Sequence, residues 1–150
     1  MRSRFHRALL GSHRTRTGRL IDAAVVAGAF VVTLLAYATG VFTVSGGVVF
    51  LARHAALVGV AAAAVLGYRR AGLVAAWLGA YAALLGQSAD HYLLGLSYAT
   101  PVEGLGALLQ PDGLAFLAVQ ALVLGTLAWG AGRLVDRGVA AAGLGRETGG

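Results

Sequence analysis

The chain has no cysteine, no lysine and no asparagine. Without cysteine it has no disulfide, no thiolate metal site and no cysteine nucleophile. Acidic residues are also scarce: six Asp and Glu stand against twelve Arg, and charged residues make up only 12% of the chain. A soluble domain carries about 25% charged residues, so too little polar surface exists here to coat a water-soluble core. No nucleophile–base arrangement, phosphate loop or zinc helix motif occurs, and the expectation is a protein that is not an enzyme.

What is present is apolar. Of 150 residues 58% are hydrophobic, with a mean hydropathy of +0.76. The abundance of Ala, Gly, Val, Leu and Arg fits a G+C-rich prokaryotic genome. The formal charge of +6 and the pI near 10.8 raise nucleic acid as a partner. The Arg residues cluster beside apolar runs, however, as the positive-inside rule and attraction to anionic lipid require. No nucleic-acid module is present, and lipid is the expected partner instead.

Four apolar runs follow one another, at about 20–42, 48–68, 73–94 and 114–134. The first is preceded by a basic segment, 1–19, and is too long for the apolar part of a cleaved signal peptide. At about 1.5 Å per residue it spans the roughly 30 Å hydrocarbon core, which makes it an uncleaved anchor. Ser45-Gly46-Gly47 reads as the turn into the second run, and Arg69-Arg70 with Gly72 as a tight turn into the third. Before the fourth run lies Pro111-Asp112-Gly113, where Asp112 is a candidate cap. Thr100-Pro101-Val102-Glu103 has the pattern of a capping box with proline at the first helical position. It predicts a short interfacial helix over about 101–110, weakened by Gly104 and Gly106. The segment 136–150 reads as a loose tail.

The expected fold class is therefore all-α: a four-helix transmembrane bundle, up-and-down, occupying 20–135. Six Arg precede the first run, two lie between the second and third, and three stand at or beyond the end of the fourth. With four crossings these eleven share one side, which the positive-inside rule makes cytoplasmic. The chain is thus expected to be a multi-pass protein of the cell membrane with both termini in the cytoplasm. Ala24 with Gly28, Gly59 with Ala63 and Gly79 with Ala83 are small pairs four apart that permit close helix approach.

The informative residues are the few polar ones inside apolar runs, because polar groups in lipid are costly and lean toward function. Helical rise places Arg53 about 8 Å, Asp90 about 6 Å and Gln120 about 10 Å from the outer ends of their spans. Gln87, Asp90 and His91 follow an i, i+3, i+4 spacing and share one face. Arg53 and His54 border the same level, and Tyr37 reaches toward it. The expected cluster is Arg53, His54, Gln87, Asp90, His91 and Gln120, with Arg53 paired to Asp90, since a pair costs less than two stranded charges. The plainer alternatives are a snorkelling Arg53, interfacial His91 and Tyr92 beside an aromatic belt, and Asp22 as an acid suited to a helix N-terminus.

Three functions fit. The leading one is a non-enzymatic membrane subunit or scaffold, alone, as a homo-oligomer or within a membrane complex, with no cofactor. The second is a redox subunit holding haem b, with His54 and His91 as the axial ligands, or a quinone. The third is a proton-linked small transporter using Asp90, His91 and His54. Its polar path would reach only the outer half of the membrane.

Overall fold

The computed structural model describes residues 8–11, 15–43, 52–95 and 100–143. These are 86% helical and contain no strand. The elements are α1 (Arg16–Ala38), α2 (Arg53–Tyr68), α3 (Leu73–Ala89) with a π-helical continuation Asp90–Gly95, α4 (Pro101–Leu108) and α5 (Pro111–Ala141). Two helices, α1 and α5, are long and apolar enough to cross a membrane.

The helix ends follow local chemistry. Helix α1 begins ahead of the apolar run because the Thr15 hydroxyl accepts from the Gly18 amide at 3.3 Å, satisfying one of the unpaired first-turn donors. It stops at Ala38, short of the expected 42, because Gly40 takes a left-handed φ of 73°, a conformation that glycine enters without a Cβ penalty. The chain then folds back, and the Phe42 amide donates to the Ala36 carbonyl at 2.9 Å. The expected turn at Ser45–Gly47 lies outside the described residues.

Helix α2 closes with a paired motif in which Arg70 donates to Gly67 O at 3.0 Å and Ala71 to Leu66 O at 2.8 Å. This geometry needs a left-handed residue between the last turn and the exit. Arg70 fills it at φ 60°, where glycine would be the usual choice. In α4 the capping box forms in full: Glu103 N donates to Thr100 Oγ1 at 3.4 Å, and Thr100 N to Glu103 Oε2 at 3.1 Å. Asp112 does not cap α5. Gln110 occupies the cap position and Pro111 opens the helix, leaving Asp112 in the first turn, where a carboxylate meets the positive end of the dipole. Nor does the last helix end near 134, since it continues to Ala141.

Helices α1 and α3 run parallel, as their successive approaches establish: Asp22 with Arg69 beside the start of α3, then Thr33 with Gly86. Helices α2 and α5 run the other way, with Gly59 against Ala80 and Gly125 against Ala76 and Trp77. Helix α3 is central and packs against α1, α2 and α5, while α4 rests on its π-helical continuation. The buried positions are mostly small. Ala55, Ala63, Ala76, Ala80 and Ala83 are fully enclosed, and Leu66 and Leu84 are the largest apolar side chains sealed in. Small residues let backbones approach closely, so packing relies on dispersion over short distances. Of the three expected small pairs, Gly59/Ala63 and Gly79/Ala83 lie in this interior, whereas Gly28 has open space beside it and Ala24 is exposed.

Candidate functional site

At the end of the helices remote from Arg69-Arg70, the chain forms an open cavity of about 430 Å³. Its walls come from the end of α1, the start of α2, the end of α3, helix α4 and the start of α5. Helix α4 gets this close because of Gly104. A Cβ there would stand 2.7 Å from the Tyr92 carbonyl, so the glycine that weakens the helix is also what lets it pack on the π-helical turn.

Arg53, His54, Gln87, His91 and Gln120 all line this space, and Tyr37 joins them. Asp90 does not. The expected Arg53–Asp90 ion pair is likewise not formed: among the described residues the bridges are Arg69–Asp22 at 3.4 Å and Arg70–Asp136 at 2.9 Å. The reason lies in the path of α3. Gly86 faces α1, with a hypothetical Cβ only 2.7 Å from Phe30 O. Asp90 follows four residues later, on the same side of the helix. Arg53, at the first position of α2, stays exposed on the cavity side.

Burial divides the lining. Leu84 and Tyr37, at 1% and 8% exposure, form the floor. Gln87, Ser88, Leu117 and Gln120 are half-buried above them, and Arg53, His91, Gln110 and Phe116 are exposed at the rim. Ala52 precedes α2 and offers no side-chain acceptor to its first turn. Phe42, brought back by the Gly40 turn, stacks on the His54 ring with centroids 4.9 Å apart and 12° between planes. It also meets Tyr37 edge-on at 5.4 Å. His91 contacts Tyr92 edge-on at 5.1 Å. Among the described residues no group of three or more His, Asp or Glu gathers as a metal site.

Sequence reasoning missed Phe116, Ser88, Gln110 and the Phe42–His54 stack. Phe116 was within reach, because it stands four residues before Gln120 and so shares its face. The Phe42 contact depends on a backward turn that no periodicity encodes.

The opposite end holds a second polar group that the sequence showed only in part. Asp22 pairs with Arg69 and not simply with a helix dipole. The Trp129 indole donates to Ala71 O at 2.9 Å, and the Arg133 guanidinium lies over the Trp129 ring at 5.3 Å. The backbone of Ala71 also bridges to Gly11. Comparison with family models, characterised proteins and solved structures finds no significant match.

Proposed function

We propose that the chain is a four-span, non-enzymatic membrane protein with both termini in the cytoplasm, acting as a ligand-holding subunit or scaffold through the cavity in its outer half. The observation that carries this is an inverted distribution of residue size. Alanine and glycine fill the interior, while Val31, Val32, Leu35, Val119, Val123 and Leu127 point outward, each at least 47% exposed. Only 17% of the apolar window is buried in either α1 or α5. A soluble protein would bury these side chains, whereas a lipid solvent leaves them outside at no cost.

Length supports the same reading for the other two helices. Helix α3 has 17 residues and its π-helical continuation six, enough at about 1.5 Å each to match a core of roughly 30 Å. Helix α2 has 16 residues, or about 24 Å, and starts at Arg53 instead of the expected 48, after Ala52 in an extended cap conformation. All of Arg16, Arg19, Arg69, Arg70, Arg133 and Arg137 fall toward one end of the helices, which the positive-inside rule assigns to the cytoplasm.

The absence of cysteine makes the test simple. Single cysteines at Ser12, Ser45, Gln110 and Thr148 are probed in intact cells with a membrane-impermeant maleimide. Labelling of Ser45→Cys and Gln110→Cys, with Ser12→Cys and Thr148→Cys protected until lysis, is the expected pattern. Protection of Ser45→Cys together with labelling of either terminus would overturn the topology.

A redox subunit holding haem b or a quinone is favoured by one observation: His54 and His91 line the same cavity. Bis-His ligation requires a ring nitrogen of each to face the iron. Protein produced with ample haem would then absorb in the Soret region and lose that band in His54→Ala or His91→Ala. A featureless spectrum removes the haem reading. The transporter reading has less support, because the polar lining belongs to one end of the bundle.

A further inference from the structure

We propose that the cavity takes an amphipathic anion, a carboxylate or phosphate head on an apolar body, with Arg53 as its counter-charge. This rests on the reading of the cavity as a ligand site in the outer half of a membrane protein.

The described side chains around the cavity offer hydrogen-bond donors and positive charge: Arg53 and the imidazoles of His54 and His91 line it with the amides of Gln87, Gln110 and Gln120, and no Asp or Glu is among the described lining residues. Among the described residues the ion pairs are Arg69–Asp22 and Arg70–Asp136, so no carboxylate is bridged to the Arg53 guanidinium. An arginine in this position presents five donors in a planar fork that matches carboxylate or phosphate oxygens. Its exposed placement at the rim, with His91 close to the same level, suits a head group that keeps part of its hydration. Beneath and beside it stand Leu84, Leu108, Phe116 and Leu117, an apolar wall for the body of the ligand. A volume of about 430 Å³ falls within the range of sites for small organic molecules, 300 to about 1,000 Å³. A cationic ligand would meet Arg53 with like charge, and a purely apolar one would leave the fork of Arg53 unused.

The test uses the full-length protein in phosphatidylcholine nanodiscs, with signals corrected against empty discs. Decanoate, decyl phosphate, decanol and decyltrimethylammonium share a chain and differ in head group, and acetate and inorganic phosphate supply heads without a chain. Calorimetry and the shift in melting temperature read binding. The expected result is tight binding of decanoate or decyl phosphate, weakened about tenfold or more in Arg53→Gln and largely kept in Arg53→Lys. Decanol should bind at least about tenfold more weakly than decanoate, on the same energetic ground. The ammonium, acetate and phosphate should not register. Competition by phosphatidic acid added to the discs assigns the head group to a membrane lipid, and its absence to a free amphiphile.

Equal affinity for decanol and decanoate, or an Arg53→Gln protein that binds decanoate unchanged, overturns the anion preference. If that binding is still abolished by Ala107→Trp, which fills the cavity from α4, the cavity survives as a ligand site without charge selection. If no probe binds and Ala107→Trp melts like the wild type, the ligand-site reading falls as well.

Discussion

Arg70 donates from Nε to Asp136 Oδ2 at 2.9 Å, joining the turn between α2 and α3 to the far part of α5. The same Arg70 occupies a left-handed backbone position at φ 60°, which costs a non-glycine residue about 1–2 kcal/mol. A residue chosen for its side chain therefore stands where the backbone prefers glycine.

The two effects predict a near-cancellation. Asp136→Ala should lower stability by roughly 0.5 kcal/mol, since the arginine is 60% exposed and screened by solvent. Arg70→Gly loses the same pair but relieves the backbone, so its stability should equal or exceed that of Asp136→Ala. Unfolding by SDS titration of both variants checks this, and an Arg70→Gly protein clearly less stable than Asp136→Ala contradicts it.

Thr33 is fully buried, and its Oγ1 has no hydrogen-bond partner among the described residues. A buried unsatisfied hydroxyl costs about 1–3 kcal/mol. Thr33→Val keeps the branched shape and removes the orphan, so it should stabilise the protein by about 1 kcal/mol. A destabilised Thr33→Val protein would mean that the hydroxyl is satisfied after all.

Gly86 and Gly28 should respond oppositely to alanine. A Cβ at Gly86 meets Phe30 O at 2.7 Å, whereas one at Gly28 meets nothing within 4 Å. Overpacking at Gly86 should cost about 1–3 kcal/mol. Gly28→Ala should be neutral or stabilising by up to about 1 kcal/mol, from helix propensity alone. Equal effects at the two sites would show that α1 and α3 are not packed through Gly86.

The Trp129 indole fixes the α2–α3 turn through Ala71 O. Trp129→Phe keeps an aromatic ring and deletes the donor, leaving a part-buried carbonyl unmatched, at a cost of about 1 kcal/mol. Trp77 donates to the exposed Thr126 hydroxyl at 2.9 Å. Trp77→Phe should cost less, because water or interfacial polar groups replace a bond more readily at an exposed site. A reversed order in the melting temperatures would refute the difference in burial.

Arg53 and Asp90 should behave as independent residues. No ion pair joins them, so Arg53→Ala and Asp90→Ala should add within about 0.5 kcal/mol in a double-mutant cycle. A coupling of several times that size would restore the pair expected from the sequence.

Much of the candidate site was legible because polar residues are conspicuous in apolar runs. Arg53, His54, Gln87, His91 and Gln120 could be assigned a common level from helical rise and alternating helix direction alone, and they line one cavity. Asp90 was assigned to the same level with Arg53 as its partner, and no ion pair joins the two. Its spacing to Gln87 gives an angle around one helix, but which neighbour faces that angle depends on the close approach at Gly86. The Thr100–Glu103 capping box was readable for a different reason: it is complete within four residues and needs no tertiary contact.

By itself, then, the sequence determined the helical class, the short cap of α4, and which few side chains are too polar for their surroundings. These follow from local hydrogen bonding and from the composition of continuous segments. Only the tertiary structure decided which small residues meet, where Asp90 turns, that Phe42 folds back onto His54, and that Trp129 and Asp136 anchor a distant turn. In a chain so rich in alanine and glycine, many helix faces are equally smooth. The choice among them rests on sub-ångström packing that periodicity does not record.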